Sequence, residues 1–290
     1  MRKIAKAIGV AFSMYSKIPM PHFVWASEDM RYHLLFFPWI GAVIGGLEIA
    51  WYHLAGYLGV GKILSVALAV FLPLFVTGGF HMDGFMDTKD ALSSYQGKEK
   101  KLEILKDPHI GAFAVIHLLS YLLLALGFAS VIEGTKAVVA VSAAFFLSRC
   151  LSGLSVIHFP GAKKEGSLYT EADTSGAKVV SIGLVIQMLL VVTALFIYSG
   201  MNGILVTAAC LLMFLYYYLM SRRQFGGITG DLAGYFVCMA ELWSVIVVGI
   251  YLVKVKGECN GRKAGTCHWW QGAGKKCICQ KKVPARRLSG

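Results

Sequence analysis

Three aspartates stand close together in the stretch "GGFHMDGFMDTKDAL", residues 78–92: Asp83, Asp87 and Asp90. Their spacing is i, i+4, i+7. On a helix of 3.6 residues per turn all three point to one side. Carboxylates on one face repel each other, so the arrangement gains from a divalent cation. Mg²⁺ prefers oxygen ligands, commonly one or two carboxylates completed by water and substrate phosphates. Gly78, Gly79 and Gly84 leave room for backbone or ligand to come near. Asp83, Asp87 and Asp90 are therefore candidate metal ligands. The residues alone also allow a second reading, a solvated polar face at a helix end.

Other ionisable residues follow in clusters. "LEILKDPHIGAF" offers Lys106, Asp107 and His109, and "SRCLSG" places Arg149 in the middle of an apolar run. "QFGGITGD" is a glycine-rich loop that ends in Asp231, with Glu241 ten residues on. Ionisable residues inside apolar segments are costly and face a cavity or a partner. Arg149 and Glu241 read either as a pair within a bundle or as substrate contacts; both stay open. Glu48 is a further such acid, with nothing nearby to state its purpose. His117 and His158 read as hydrogen-bonded packing residues.

The elements that carry these residues are apolar helices. Mean hydropathy is +0.63 and only 15% of residues are charged, outside the range of soluble domains. Seven runs, near 35–57, 63–80, 110–132, 137–159, 179–199, 203–220 and 232–253, are long enough to cross roughly 30 Å of hydrocarbon as helices. The fold class is all-α, a polytopic membrane bundle of about seven spans. The alternation of a β-barrel is missing. "MRKIAKAIGVAFSMYSKIPMP" reads as an interfacial amphipathic helix ended by Pro19 and Pro21 rather than a signal peptide, because Lys6 interrupts its apolar run.

Charge sorts the loops. The N-terminus, 81–109, 160–178 and 221–231 are rich in Lys and Arg, while the short alternate connections hold only Lys62 and Lys136. By the positive-inside tendency the long polar loops face the cytoplasm of a bacterial inner membrane. Seven spans then put the tail after Val253 outside, although it carries ten basic residues against Glu258 alone. Either one span is miscounted, the last being re-entrant, or the tail is no part of the topology. The division is a membrane domain over 1–253 and a disordered or out-of-frame extension over 254–290. Without the tail the chain is nearly neutral, so its basic charge does not argue for nucleic acid. Cys259, Cys267, Cys277 and Cys279 lack a paired zinc spacing, and Cys150, Cys210 and Cys238 read as packing residues.

"TGGFHMDGFMDTKDAL", "LEILKDPHIG", "SRCLSG", "KKEGSL" and "FGGITGDLAG" with Glu241, after "SKIPMP" and "FFPWIGAVIGG", occur in the order that resembles the cobalamin (5′-phosphate) synthase family, also called adenosylcobinamide-GDP ribazoletransferase. The resemblance covers roughly residues 1–253. It implies a Mg²⁺-dependent membrane enzyme of the last stage of coenzyme B₁₂ assembly. Such an enzyme joins adenosylcobinamide-GDP to α-ribazole (or its 5′-phosphate) and releases GMP. On that reading Asp83, Asp87 and Asp90 hold the metal and Asp231 is a further ligand or the general base. Asp90 is also counted with the catalytic set, and Lys106 and Arg149 clamp phosphate. Two positions depart from the family's pattern: Asp107-Pro108-His109 stands where D-S-R is frequent, and "GDLAGYFVCMAE" lacks the expected small-residue and Thr pattern. CDP-alcohol phosphotransferases and membrane prenyltransferases share an aspartate cluster, but the D-G-x-x-A-R element is absent. A transporter would gather its charges near mid-membrane in paired segments.

Overall fold

A computed structural model describes residues 2–21, 27–162 and 176–261. The "KKEGSL" motif and all expectations for the chain beyond 261 lie outside the described residues. The helices are α1 (Arg2–Tyr15), α2 (His33–Tyr57, entered through a 3₁₀ turn, Ser27–Tyr32), α3 (Lys62–Thr77), α4 (Phe80–Ser93), α5 (Lys98–Ile104), α6 (Ala112–Ala129), α7 (Thr135–His158), α8 (Ala177–Ser199), α9 (Met201–Gln224) and α10 (Gly230–Gly261). Among the described residues the only β pairing is one isolated bridge, Gly161 to Ile228.

Six of these helices are long and apolar enough to cross a membrane, and a seventh span is made if α3 and α4 count together. That pair is bent by 97°. Of the two alternatives for the tail, a re-entrant last span is not seen: α10 runs unbroken, and the break lies here, where Gly78 and Gly79 take positive φ of 65° and 80°. Only glycine adopts that backbone without strain, and two in succession stop α3 and re-aim the chain. The final helix also passes Val253 and continues to Gly261.

The bundle is built on small residues. In lipid, helices gain no hydrophobic driving force from each other and hold together by close packing. Gly41 and Gly45, four apart on α2, lie against the α7 backbone: a Cβ at Gly41 would stand 2.1 Å from the Phe145 carbonyl oxygen, and one at Gly45 2.6 Å from that of Ser142. α7 is the most enclosed of the long helices, packed by α2, α8, α9 and α10. α1 buries Ala7, Val10, Ala11 and Tyr15 on one face, against α2. It ends at Tyr15, where the Ser16 hydroxyl donates to the Phe12 carbonyl at 2.6 Å. Cys150, Cys210 and Cys238 are buried free thiols, as packing residues should be. His117 shares a hydrogen bond with Ser93 at 3.2 Å and His158 one with Ser181 at 2.8 Å.

Gly41→Ala should lower stability by about 1–3 kcal/mol, because backbone must move to admit the methyl. Gly46→Ala, where nothing lies within 4 Å of the added carbon, should leave stability unchanged or slightly raised. Thermal unfolding of both variants in detergent checks the pair; equal melting temperatures would contradict the packing role of Gly41.

Candidate active site at the α4–α10 contact

The acidic helix is positioned from three directions. At its start, the Lys17 N–H donates to the Val76 carbonyl at 2.8 Å, tying the segment after α1 to the end of α3. The Lys17 stem lies over Gly78, where a Cβ would meet its Cε at 2.5 Å. Along its length, α4 buries Met82, Phe85, Thr88 and Ala91 on one side, leaving Asp83 exposed and Asp87 and Asp90 half-buried on the other. The helix expected from the i, i+4, i+7 spacing is present, with its acids on one face.

The second support is α10. A Cβ at Gly84 would stand 2.7 Å from the Asp231 carbonyl oxygen and 2.8 Å from its Cα, and one at Gly234 3.1 Å from the His81 carbonyl oxygen. Two glycines, one on each helix, therefore let the backbones touch and deliver Asp231, in the first turn of α10, to the acidic face. The glycine-rich loop that precedes it is clamped. Ala162 N–H donates to the Ile228 carbonyl and Ile228 N–H to that of Pro160, both at 2.9 Å. The Thr229 hydroxyl then accepts from the Leu232 N–H at 3.3 Å and caps the helix. Asp87 lies within electrostatic reach of Asp83, Asp231 and Asp90 together. The three acids of one motif are thereby brought towards the acid of another.

The third support is α6. Its N-cap, Gly111, faces Asp90 so closely that a Cβ would lie 2.1 Å from the carboxylate oxygens. Asp90 thus sits at the positive end of a helix, a placement favourable for an anion. This separates Asp90 from Asp83 and Asp87 by its surroundings. Lys106 is exposed on the turn after α5, its N–H bonded to the Glu103 carbonyl at 2.9 Å. Asp107 accepts from the His109 N–H at 3.0 Å and meets the ring at 2.7 Å. The backbone N–H first, and the imidazole second, hold its carboxyl below the usual range. Asp107 shapes this turn.

Two lysines of the basic 81–109 stretch lie at this end of the bundle. Lys89 is half-buried over the faces of Phe85 and Tyr235, 5.9 and 5.6 Å from the ring centres. Lys101 is only 6% exposed, and its ammonium donates to the Gln224 side-chain oxygen at 2.5 Å, beside the glycine-rich loop. The partner of Lys101 lies 123 residues away, so no local signal marks that contact, whereas Phe85 is one helical turn from Lys89 and only Tyr235 is distant. Arg149, by contrast, is deep in the bundle. One guanidinium nitrogen donates to Glu241 and to the Phe145 carbonyl, both at 2.7 Å, and the group lies over Phe37. Of the two readings of Arg149 and Glu241, the structure displays the pair.

Among the described residues no Lys or Arg is within ion-pair distance of Asp83, Asp87, Asp90 or Asp231. Nor, among them, do any three His, Cys, Asp or Glu converge closely enough to hold a metal unaided. This fits the mode in which Mg²⁺ takes one or two carboxylates and completes its shell with waters and substrate phosphates.

The family described as Cobalamin-5-phosphate synthase matches residues 7–249 of this chain. An adenosylcobinamide-GDP ribazoletransferase of Lachnoclostridium phytofermentans is 41% identical over 268 residues, 92% of this chain and 100% of that protein. One of Clostridium perfringens (strain ATCC 13124) is 30% identical over 255 residues, 86% and 100%. One of Desulfitobacterium hafniense (strain Y51) is 29% identical over 243 residues, 82% and 94%. No solved structure matches the chain.

Removing one member of a buried ion pair strands the other, at about 3–5 kcal/mol, whereas replacing both with apolar residues is near neutral. Glu241→Leu should therefore be strongly destabilised, and adding Arg149→Met should return most of the loss. Thermal unfolding of the two variants decides it. Independent, additive losses would contradict the pairing.

Proposed function

The chain belongs to the cobalamin-5-phosphate synthase family, and on that premise we propose that the carboxylates at the α4–α10 contact carry its transferase reaction. The family's reaction is a phosphodiester transfer in the final stage of cobalamin assembly. A ribose hydroxyl of α-ribazole (or its 5′-phosphate) bonds to the cobinamide-linked phosphorus of adenosylcobinamide-GDP. The bond from that phosphorus to the GMP oxygen breaks, and the hydroxyl proton leaves. The observation that supports this placement is the meeting of Asp83 and Asp87 of one motif with Asp231 of another, with no Lys or Arg within ion-pair distance of them among the described residues.

Asp83 and Asp87 would hold Mg²⁺, with Asp90 alongside at the α6 N-terminus. A bound Mg²⁺ supplies charge neutralisation for the pyrophosphate and the departing phosphate oxygen. Asp231 would take the hydroxyl proton or complete the donor set. Lys89 and Lys101 surround the same end of the bundle, and Lys106 stands exposed beside it, as cations for the pyrophosphate. Arg149, held by Glu241, would act only through the packing of α7 on α10. The acid-bearing end faces the cytoplasm in this reading, because it shares its side with the Lys- and Arg-rich loops. The transferase unit of this reading is the membrane domain over 1–253.

Asp83→Asn and Asp87→Asn should each lower turnover by at least about 10²-fold, the scale of losing one group that stabilises developing charge. EDTA should do the same to the parent protein, and added Mg²⁺ should restore it. GMP release from adenosylcobinamide-GDP with α-ribazole, in protein that elutes as the parent does, is the readout. Parent-like release by either variant would overturn the metal role.

A further inference from the structure

Lys17, on the segment after α1, stands outside the groups assigned to the transfer. It sits in a turn fixed on both sides. The Ser16 hydroxyl donates to the Phe12 carbonyl at 2.6 Å and accepts from the Ile18 N–H at 3.4 Å. The Lys17 N–H donates to the Val76 carbonyl at 2.8 Å, and its stem runs over Gly78, where an added Cβ would meet both Cγ and Cε at 2.5 Å. Backbone and stem are therefore held, although the residue as a whole is exposed. Among the described residues no carboxylate is within ion-pair distance of the ammonium.

Ring contacts place this turn beside the acids. Tyr15, two residues before Lys17, packs edge-on against Phe80 with ring centres 6.1 Å apart, and against Phe37 at 4.4 Å. At 3.6 residues per turn, Phe80 lies only about 20° round α4 from Asp87 and about 60° from Asp83. Like Asp83 it is exposed. The turn thus flanks the acid row at its Asp83 end. Lys89 is placed otherwise, about 100° or more round the helix from each of the three acids, resting on Phe85 and Tyr235. Lys101 and Lys106 come after α4 has ended. A lysine at the end of a helix commonly serves the helix dipole. Here the carbonyls closing α3 are already answered: Pro73 by the Thr77 hydroxyl at 2.8 Å, Leu74 by the Gly79 N–H at 3.1 Å, and Val76 by the N–H of Lys17 itself. The backbone of Lys17 does the capping, and its ammonium is left over.

We propose that Lys17 binds the pyrophosphate of adenosylcobinamide-GDP at the Asp83 end of the acid row, an inference that rests on the placement of the transfer at the α4–α10 contact. A non-bridging phosphate oxygen meets there both a hydrogen-bond donor and a positive charge. Because the stem is already held across Gly78, little rotamer freedom is left to lose on contact. The helix α1 thereby does more than pack on α2: through Tyr15 and Ser16 it sets the position of a cation for the substrate. α-Ribazole itself carries no phosphate, so the contact separates the two substrates.

The test uses full-length protein in phosphatidylcholine nanodiscs, free of anionic lipid, in three forms. These are the parent, Lys17→Met, which keeps an apolar stem over Gly78 without the charge, and Lys17→Arg, which keeps the charge. Lys17→Met should raise the KM for adenosylcobinamide-GDP at least about tenfold, the scale of one charged hydrogen bond. The KM for α-ribazole and the melting temperature should not change, and Lys17→Arg should return most of the loss. Calorimetry of GDP binding with Mg²⁺, with no acceptor present, should show the same loss and recovery. Lys17→Gln serves if the methionine variant unfolds. A parent-like KM for adenosylcobinamide-GDP with parent-like GDP affinity in a folded neutral variant would overturn the proposal. So would an equal rise in KM for both substrates, or a loss that arginine does not return. GDP affinity that depends on Lys17 while Asp83→Asn turns over as the parent does would overturn the metal role of Asp83 alone and support the phosphate contact.

Discussion

At Gly84 the backbones of α4 and α10 lie so close that one added methyl would meet the Asp231 carbonyl oxygen at 2.7 Å. Gly234 on α10 repeats the arrangement from the other side, one turn along, against the His81 backbone. The rest of the acid-bearing end depends on this double contact. It sets the depth at which α4 lies across the bundle after the 97° turn at Gly78 and Gly79, and hence where three acids of one motif meet the acid of another. The clamp of residues 160–162 on the glycine-rich loop fixes the start of α10, so that the contact has a defined register.

The charge arrangement follows from this geometry. Among the described residues the gathered carboxylates have no basic partner, although lysines lie near. Lys89 rests on two aromatic rings and Lys101 on a side-chain amide, both more weakly satisfied than an ammonium in an ion pair. A protein selected only for stability would pair these charges. Leaving acids and bases apart at one end keeps both open to a cation and to phosphates. Deeper in the bundle the opposite holds, where Arg149 and Glu241 are paired and buried.

Hydropathy runs placed the long helices to within a few residues at most ends, because a segment of that length and composition has one stable state in lipid. The aspartate face was legible for the same local reason, a fixed helical period. The turn between α3 and α4 was not, since two glycines permit a continuous span as readily as a sharp one. Lys89 belongs to the basic stretch beside the acids, but its contact with Tyr235 and that of Lys101 with Gln224 are tertiary. The Lys101–Gln224 contact joins residues 123 apart, and the Arg149–Glu241 pair joins residues 92 apart. The sequence offered that second pair only as one of two readings. Gly84 was noted as room for close approach, but what approaches it, the Asp231 backbone, is a tertiary fact.

Gly84→Val isolates the central dependence, because it leaves every acidic and basic side chain in place while forcing α4 away from α10. Misplacing reacting groups by about 1 Å costs on the order of 10²-fold in rate. Mg²⁺-dependent GMP release by this variant, compared with the parent in protein that remains folded and monodisperse, is the measurement. A loss of that order would show that the helix contact assembles the site. Turnover equal to the parent's would contradict it.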